Sequence, residues 1–181
     1  MQMETSHKRY STSRSEMMKQ KTKIFFEDAR NEMKRADHLM FVSLKYTRTV
    51  DVIKSLVERL TLALEGVVNA SLETAKDRGK IDEVPSNMGL KRQLLLETFK
   101  DPSMEKVVDM HGFFKKILKS DFKRSNEFRR YVTMTVMIDT GILNIDIDKA
   151  KEYYELTKQI IENAELFMNG GEINEMIGRG L

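Results

Sequence analysis

The chain of 181 residues has the length of one domain and carries 31 Lys and Arg against 28 Asp and Glu, a net charge of +3. It contains no cysteine, which excludes a disulfide framework, thiolate catalysis and sulfur-ligated zinc and favours a reducing, intracellular setting. No segment approaches the roughly 18 to 20 apolar residues that a membrane span needs, and the N-terminus is polar and basic, so we expect a cytoplasmic protein that does not enter a membrane.

The first half of the chain predicts an arm followed by two long helices. Segment 1–15 is rich in Ser, Thr, His, Lys and Arg, and we expect a flexible basic arm because it has too few apolar groups to order itself. Apolar residues then recur at three- and four-residue steps over about 16–46 and again over about 49–75, before Gly79. These two stripes predict helices that pack as an antiparallel pair.

Three further helices are predicted, and together they complete a single domain over 16–170. Turn-forming residues in 80–89 precede a short helix, and Asp101 with Pro102 supplies an N-cap and a first-turn proline for the next helix. Asp146 or Asp148 caps a last helix that ends near Asn169. The residues beyond, 171–181, are expected to be a flexible tail.

The segment 131–145 fits two interpretations. Its apolar residues alternate as they would in a strand, at Val132, Met134, Val136 and Ile138. Phe128, Val132 and Val136 also repeat at helical spacing. We favour a helix through about Met137, because a hairpin without a third strand is marginal in water. The whole pattern therefore predicts an all-α fold, an antiparallel bundle of about five to six helices.

Positive charge is concentrated in residues 115–130, named here the basic run, where seven cationic residues stand against two acidic ones. The seven are Lys115, Lys116, Lys119, Lys123, Arg124, Arg129 and Arg130. Clustered Lys and Arg neutralise phosphates with release of counterions, and Phe128 or Tyr131 could stack on an unpaired base. A solvated helix face is the alternative interpretation. The basic run is therefore the predicted surface for RNA or a protein partner.

Motifs of several enzyme classes are missing from the sequence. The sequence does not carry Glu-x-x-His on two helices, as the di-iron bundles do, and it has no Gly-x-Gly-x-x-Gly after a strand and no phosphate loop ending in Lys-Ser/Thr. His38 and His111 could each act with a nearby carboxylate, although polar residues on a solvated face are the simpler interpretation. We predict no cofactor and no metal.

The order of elements resembles that of the HEPN domains, in which a long antiparallel helical pair and shorter helices precede an Arg-containing motif and a final helix. In that family the motif is an Arg, a polar residue and then a His after four to six intervening positions. Here Arg124 and Ser125 match its start, and Tyr131 stands where the His would be. The resemblance implies a homodimer in which Arg and His of two subunits promote metal-independent attack by a ribose 2′-OH. A phenol, with an ordinary pKa near 10, is expected to donate a hydrogen bond rather than shuttle protons.

Three hypotheses of function follow. The leading one is a non-enzymatic helical bundle that self-associates, as a homo-oligomer, and binds RNA or another partner through the basic run, with Arg124, Arg129 and Arg130 making polar contacts. The alternative is a HEPN-type metal-independent ribonuclease, or a degenerate form of one, in which Arg124 stabilises phosphate and Tyr131 or His111 replaces the missing imidazole. The third is a regulatory partner subunit recognised through exposed Met and Leu residues.

Overall fold

The computed structural model describes residues 4–170, with side chains from Gln20 onward. Its helical elements are α1 (Glu4–His38), a π-helical turn (Leu39–Ser43), the single turn α2 (Leu44–Tyr46), α3 (Val50–Asp77), α4 (Met88–Thr98), α5 (Pro102–Lys119) and α6 (Ile147–Met168). Three strands lie between α5 and α6, namely β1 (Phe122–Ser125), β2 (Thr133–Ile138) and β3 (Gly141–Ile145). The described chain is therefore mostly helical, with one small sheet.

The helix α3 is the centre of the core, and α1 packs against it in the antiparallel sense. Arg59 on α3 donates to Glu32 on α1 at 3.1 Å, and Gly66, about two turns further along α3, lies against Ala29, which is earlier on α1. A Cβ placed on Gly66 would stand 2.9 Å from Ala29 Cβ and 3.0 Å from the Phe25 carbonyl oxygen. The predicted antiparallel pair is confirmed, and glycine allows its two backbones to approach closely.

The predicted helix through Met137 is wrong, because 131–145 contributes two strands to an antiparallel sheet of order β1-β2-β3. The third strand, whose absence argued against a hairpin, comes from the basic run itself: Arg124 pairs with Met134 in register. Val132, Met134 and Val136 are buried against the helices, as period-two alternation requires. The all-α prediction is therefore corrected to a helical bundle with a three-stranded sheet.

Several predicted helix ends are confirmed by their caps. The carboxylate of Asp101 accepts from the Ser103 backbone N–H at 2.8 Å, and that of Asp146 accepts from the Lys149 N–H at 2.8 Å. α1 begins at Glu4, inside the predicted arm 1–15. Residues 1–3 and the tail 171–181 lie outside the described residues, and the flexibility of arm and tail stays a prediction. Within 4–170, none of the helices has the length and apolar content needed to cross a lipid bilayer.

Candidate nucleic-acid interface

The basic run does not form one helix face. Its first three lysines lie at the end of α5, Lys123 and Arg124 lie on β1, and the last two arginines lie in the connection between β1 and β2. This connection, residues 126–132, is named the β1–β2 loop. The seven cations therefore have three different backbone environments, and each has to be considered separately.

Two of the lysines on α5 are held by carboxylates. Lys115 Nζ lies 3.5 Å from Glu65 Oε1, and Lys116 Nζ lies 2.9 Å from Asp139 Oδ2. Lys119 is exposed, with no ion pair to any of the residues whose side chains are described. The charge on this part of the run is therefore largely neutralised by neighbouring acids.

Arg124 is engaged more completely than any other residue of the run. Its Nη1 and Nη2 each donate at 2.7 Å to a different oxygen of Asp51, the bidentate geometry of strong guanidinium–carboxylate pairs. Nη1 also lies 3.4 Å from Glu127 Oε1. The hydrogen bond from Arg124 lowers the pKa of Asp51, and the bond to Asp51 in turn raises the pKa of Arg124. Arg124 therefore ties β1 to the first turn of α3.

The β1–β2 loop is fastened to the start of α3 by two further interactions. Both oxygens of Glu127 lie 3.4 Å from the backbone N of Val50, where they accept from the helix N-terminus in place of Thr49, whose side chain makes no cap bond. The Phe128 backbone N–H donates to the Arg48 carbonyl oxygen at 2.9 Å. The loop is thus held in one position relative to the break between α2 and α3.

Backbone strain in the described residues is confined to this same place. Arg48, Asn126 and Phe128 have φ angles of +46°, +54° and +63°, and they are the non-glycine residues with positive φ in 4–170. Such conformations are uncommon for side chains larger than glycine and cluster at ligand-binding sites. The π-helical turn directly before α2 is a second irregularity of the kind often found at functional sites.

The strained backbone presents three aromatic side chains to solvent. Tyr46 and Phe128 are each 75% exposed and Tyr131 is 70% exposed, the highest values among the large apolar side chains described. Cations accompany them: Lys45 Nζ lies 5.6 Å from the centre of the Tyr46 ring, and the Arg130 guanidinium lies 5.9 Å from that of Tyr131. With the exposed Arg129, these residues form a surface named here the aromatic corner, Lys45, Tyr46, Phe128, Arg129, Arg130 and Tyr131.

A cavity of about 390 Å³ opens beside the aromatic corner and is named the corner cavity. Its apolar floor comes from Met40, Phe41 and Leu44 of the π-helical turn and α2. The rest of the lining comes from three cations, a tyrosine, and the N-cap and first residues of α6, and the complete lining is Met40, Phe41, Leu44, Lys45, Arg48, Arg130, Tyr131, Asp146, Ile147 and Asp148. The cavity therefore combines apolar residues with side chains of both charges.

His111 lies in a different part of the molecule, where it is buried to 2% exposure. Its Nδ1 lies 3.4 Å from Arg92 Nη1 and its Nε2 lies 3.0 Å from Glu65 Oε1. Because Arg92 only donates, Nδ1 accepts, and Nε2–H donates to Glu65, whose pKa is lowered chiefly by this bond. This arrangement is a buried network that joins α3, α4 and α5.

The structure does not bring the three weak catalytic candidates together. Arg124 and His111 are anchored to α3 at Asp51 and Glu65, which at the helical rise lie about 20 Å apart along the helix axis. Tyr131 lies in the β1–β2 loop, a few residues after Arg124. The Arg130 guanidinium lies beside the Tyr131 ring, whereas the Arg124 guanidinium contacts Asp51. The three candidates therefore do not form one catalytic site.

Part of the aromatic corner escapes prediction from the basic run alone. Lys45 and Tyr46 of the aromatic corner, and Arg48 of the corner cavity, come from the end of the first helical segment, about eighty residues before the β1–β2 loop. The sequence does contain an indication of this turn, because residues 45–49 interrupt the apolar stripe with two cations, a tyrosine and two threonines. A break in an amphipathic pattern that contains aromatic and basic residues indicates an exposed turn.

No cluster of three or more His, Asp or Glu side chains in the described part of the chain is arranged to hold a metal ion. No family model, curated protein or solved structure matches the chain. The HEPN resemblance therefore stays a prediction.

Proposed function

We propose that this protein binds single-stranded RNA at the aromatic corner and does not catalyse a reaction on it. The observation that carries the proposal is the set of three highly exposed aromatic rings, of which those of Tyr46 and Tyr131 have a cation 5.6 Å and 5.9 Å from the ring centre, in a region where Phe128 has a positive φ and the β1–β2 loop is fastened to α3. Exposed rings stack on unpaired bases with about 1–3 kcal/mol per base, and neighbouring cations neutralise the phosphates between them.

The geometry changes the roles expected of the seven cations. Arg129 and Arg130, which have no ion-pair partner among the described residues, are the cations of the run that contact phosphate, together with Lys45. Arg124 positions the β1–β2 loop through Asp51 instead of binding RNA directly. Lys115 and Lys116 are neutralised by their carboxylates and contribute little.

The other two hypotheses find less support in the structure. A HEPN-type ribonuclease would need Arg124 available for phosphate, whereas both of its terminal nitrogens bond to Asp51. A regulatory subunit recognised through exposed Met and Leu residues would have to use Met137, Leu62, Leu90 and Leu166, which are the exposed ones among the side chains described from Gln20 onward. Self-association stays a prediction. Met137 pairs across the sheet with Ile142, and these two exposed side chains form an apolar surface that a second copy of the chain could contact.

Fluorescence anisotropy with a labelled 12-nucleotide single-stranded RNA tests the proposal. Phe128→Ala and Tyr131→Ala should each weaken binding about 5- to 150-fold, the equivalent of one lost stacking contact. Ile142→Ala, which truncates an equally exposed apolar side chain on the outer face of the sheet, should leave the affinity within twofold. If wild-type protein fails to bind at low salt, or the control variant loses as much affinity, the proposal is wrong.

The same RNA, incubated with the protein and separated on a denaturing gel, tests the enzymatic alternative. We expect the RNA to remain intact. Cleavage that disappears in the Tyr131→Phe variant, which keeps the ring and removes only the hydroxyl, would favour the HEPN-type ribonuclease instead.

A further inference from the structure

We propose that the corner cavity holds one unpaired guanine of the bound RNA and that Asp148 recognises it. This inference rests on the proposed function and adds a base preference to it. The volume of about 390 Å³ lies at the lower end of the range for small-ligand sites, which fits one nucleotide unit rather than several.

The distribution of charge around the cavity orients a nucleotide. Lys45, Arg48 and Arg130 are among the lining residues and attract a phosphate. Asp146 and Asp148, also in the lining, stand at the start of α6, and their charge repels phosphate from a helix N-terminus that would otherwise attract it. The ligand that fits both sets of side chains has an anionic group for the cations and hydrogen-bond donors for the carboxylates.

The two aspartates differ in how many of their carboxylate oxygens are free to accept a hydrogen bond from a ligand. One oxygen of Asp146 is occupied by the Lys149 N–H as the N-cap of α6. Asp148 is exposed in the first turn and has no hydrogen-bond or ion-pair partner among the described residues. Both of its oxygens can therefore accept from a ligand that enters the cavity above Ile147.

A carboxylate with two free oxygens selects guanine among the four bases. Guanine presents two adjacent donors, N1–H and N2–H, on its Watson–Crick edge, and a carboxylate accepts both in parallel. Adenine and cytosine present a donor beside an acceptor, and uracil a donor between two acceptors, so each would place a lone pair against a carboxylate oxygen. The apolar floor and the ring of Tyr131 supply the surface against which the base lies.

The test compares labelled 12-nucleotide RNAs that are oligouridine except for one central base, by fluorescence anisotropy. The wild type should bind the guanine-containing RNA about tenfold more tightly than oligouridine or the adenine-containing RNA. Replacement of that guanine by inosine, which lacks the N2 amino group, should remove most of the preference. Equal affinity for all of these RNAs would overturn the inference while leaving the proposed function intact, whereas failure to bind any of them would refute both.

The variant Asp148→Asn tests the inference through an expected change in base preference. An amide presents one acceptor and one donor, which match adenine, so the preference should shift from guanine to adenine. Asp82→Asn, which removes an exposed carboxylate from the loop between α3 and α4, is the matched control and should keep the guanine preference. A guanine preference that survives in Asp148→Asn would overturn the role assigned to this carboxylate.

Discussion

Two pairs of adjacent cations in the basic run carry equal charge but differ in their partners, and this difference gives a quantitative prediction. Arg129 and Arg130 have no ion-pair partner in the described structure, whereas Lys115 and Lys116 lie against Glu65 and Asp139. The double variants Arg129→Gln/Arg130→Gln and Lys115→Gln/Lys116→Gln each remove two positive charges. Only the first is expected to remove phosphate contacts.

The size of the effect follows from counterion release. Each phosphate contact on a single strand contributes about −0.7 to the slope of log K against log salt concentration. Loss of the two arginines should therefore make the slope shallower by about 1.4, which corresponds to about 25-fold weaker binding at 0.1 M salt and to almost no difference at 1 M. Loss of the two lysines should leave the slope unchanged. Exposed ion pairs contribute about 0–1 kcal/mol to stability, so this second variant should remain folded.

Anisotropy titrations of the three proteins between 0.05 and 0.4 M salt measure these slopes, and thermal unfolding verifies that the variants are folded. If both double variants reduce the slope equally, the basic run acts through its total charge, and the ion pairs seen in the structure do not affect RNA binding. If neither changes it, phosphate contacts lie elsewhere and the aromatic corner is not the RNA-binding surface.

Arg124→Gln should weaken RNA binding by releasing the β1–β2 loop but leave the salt slope unchanged, and a shallower slope would instead mean that Arg124 contacts phosphate. Gly66→Ala should lower the melting temperature, because overpacking costs about 1–3 kcal/mol and exceeds the helix propensity gained. Gly112→Ala is its control and should cost less, since the new Cβ would meet one side-chain end, Arg92 Nη1 at 3.1 Å, which can shift at the expense of its 3.4 Å contact with His111. Because the pKa of Glu65 is lowered from its ordinary 4.5, its contribution to stability is complete above that pH and is lost as the pH falls through the lower, folded-state pKa. Acid unfolding monitored by circular dichroism should therefore be less steep in Glu65→Gln, and unchanged steepness would mean that the bond to His111 adds no stability.

The helices and the sheet differ in how far the sequence predicts them. Helical stripes repeat within a few residues and caps act on the next turn, so α3, α5 and α6 could be predicted from local spacing, with Asp101 as the cap of α5 and Asp146 or Asp148 as that of α6. The sheet depends on pairing between separate segments of the chain. In the sequence, its first strand has the composition of a charged surface segment, because it contains the exposed residues Lys123 and Arg124. Without that partner, the alternation in 131–138 could not be distinguished from a helix.

The site divides in the same way. The sequence by itself determined where positive charge is concentrated and that aromatic residues accompany it, because both are properties of composition over short stretches. Only the tertiary structure decided which cations are free, since the carboxylate that holds Arg124 comes from Asp51, 73 residues earlier in the sequence. It also decided that Lys45 and Arg48 join residues of the β1–β2 loop beside one cavity. The physical reason is that ion pairing and exposure depend on distances in space, which helix packing sets and sequence separation does not.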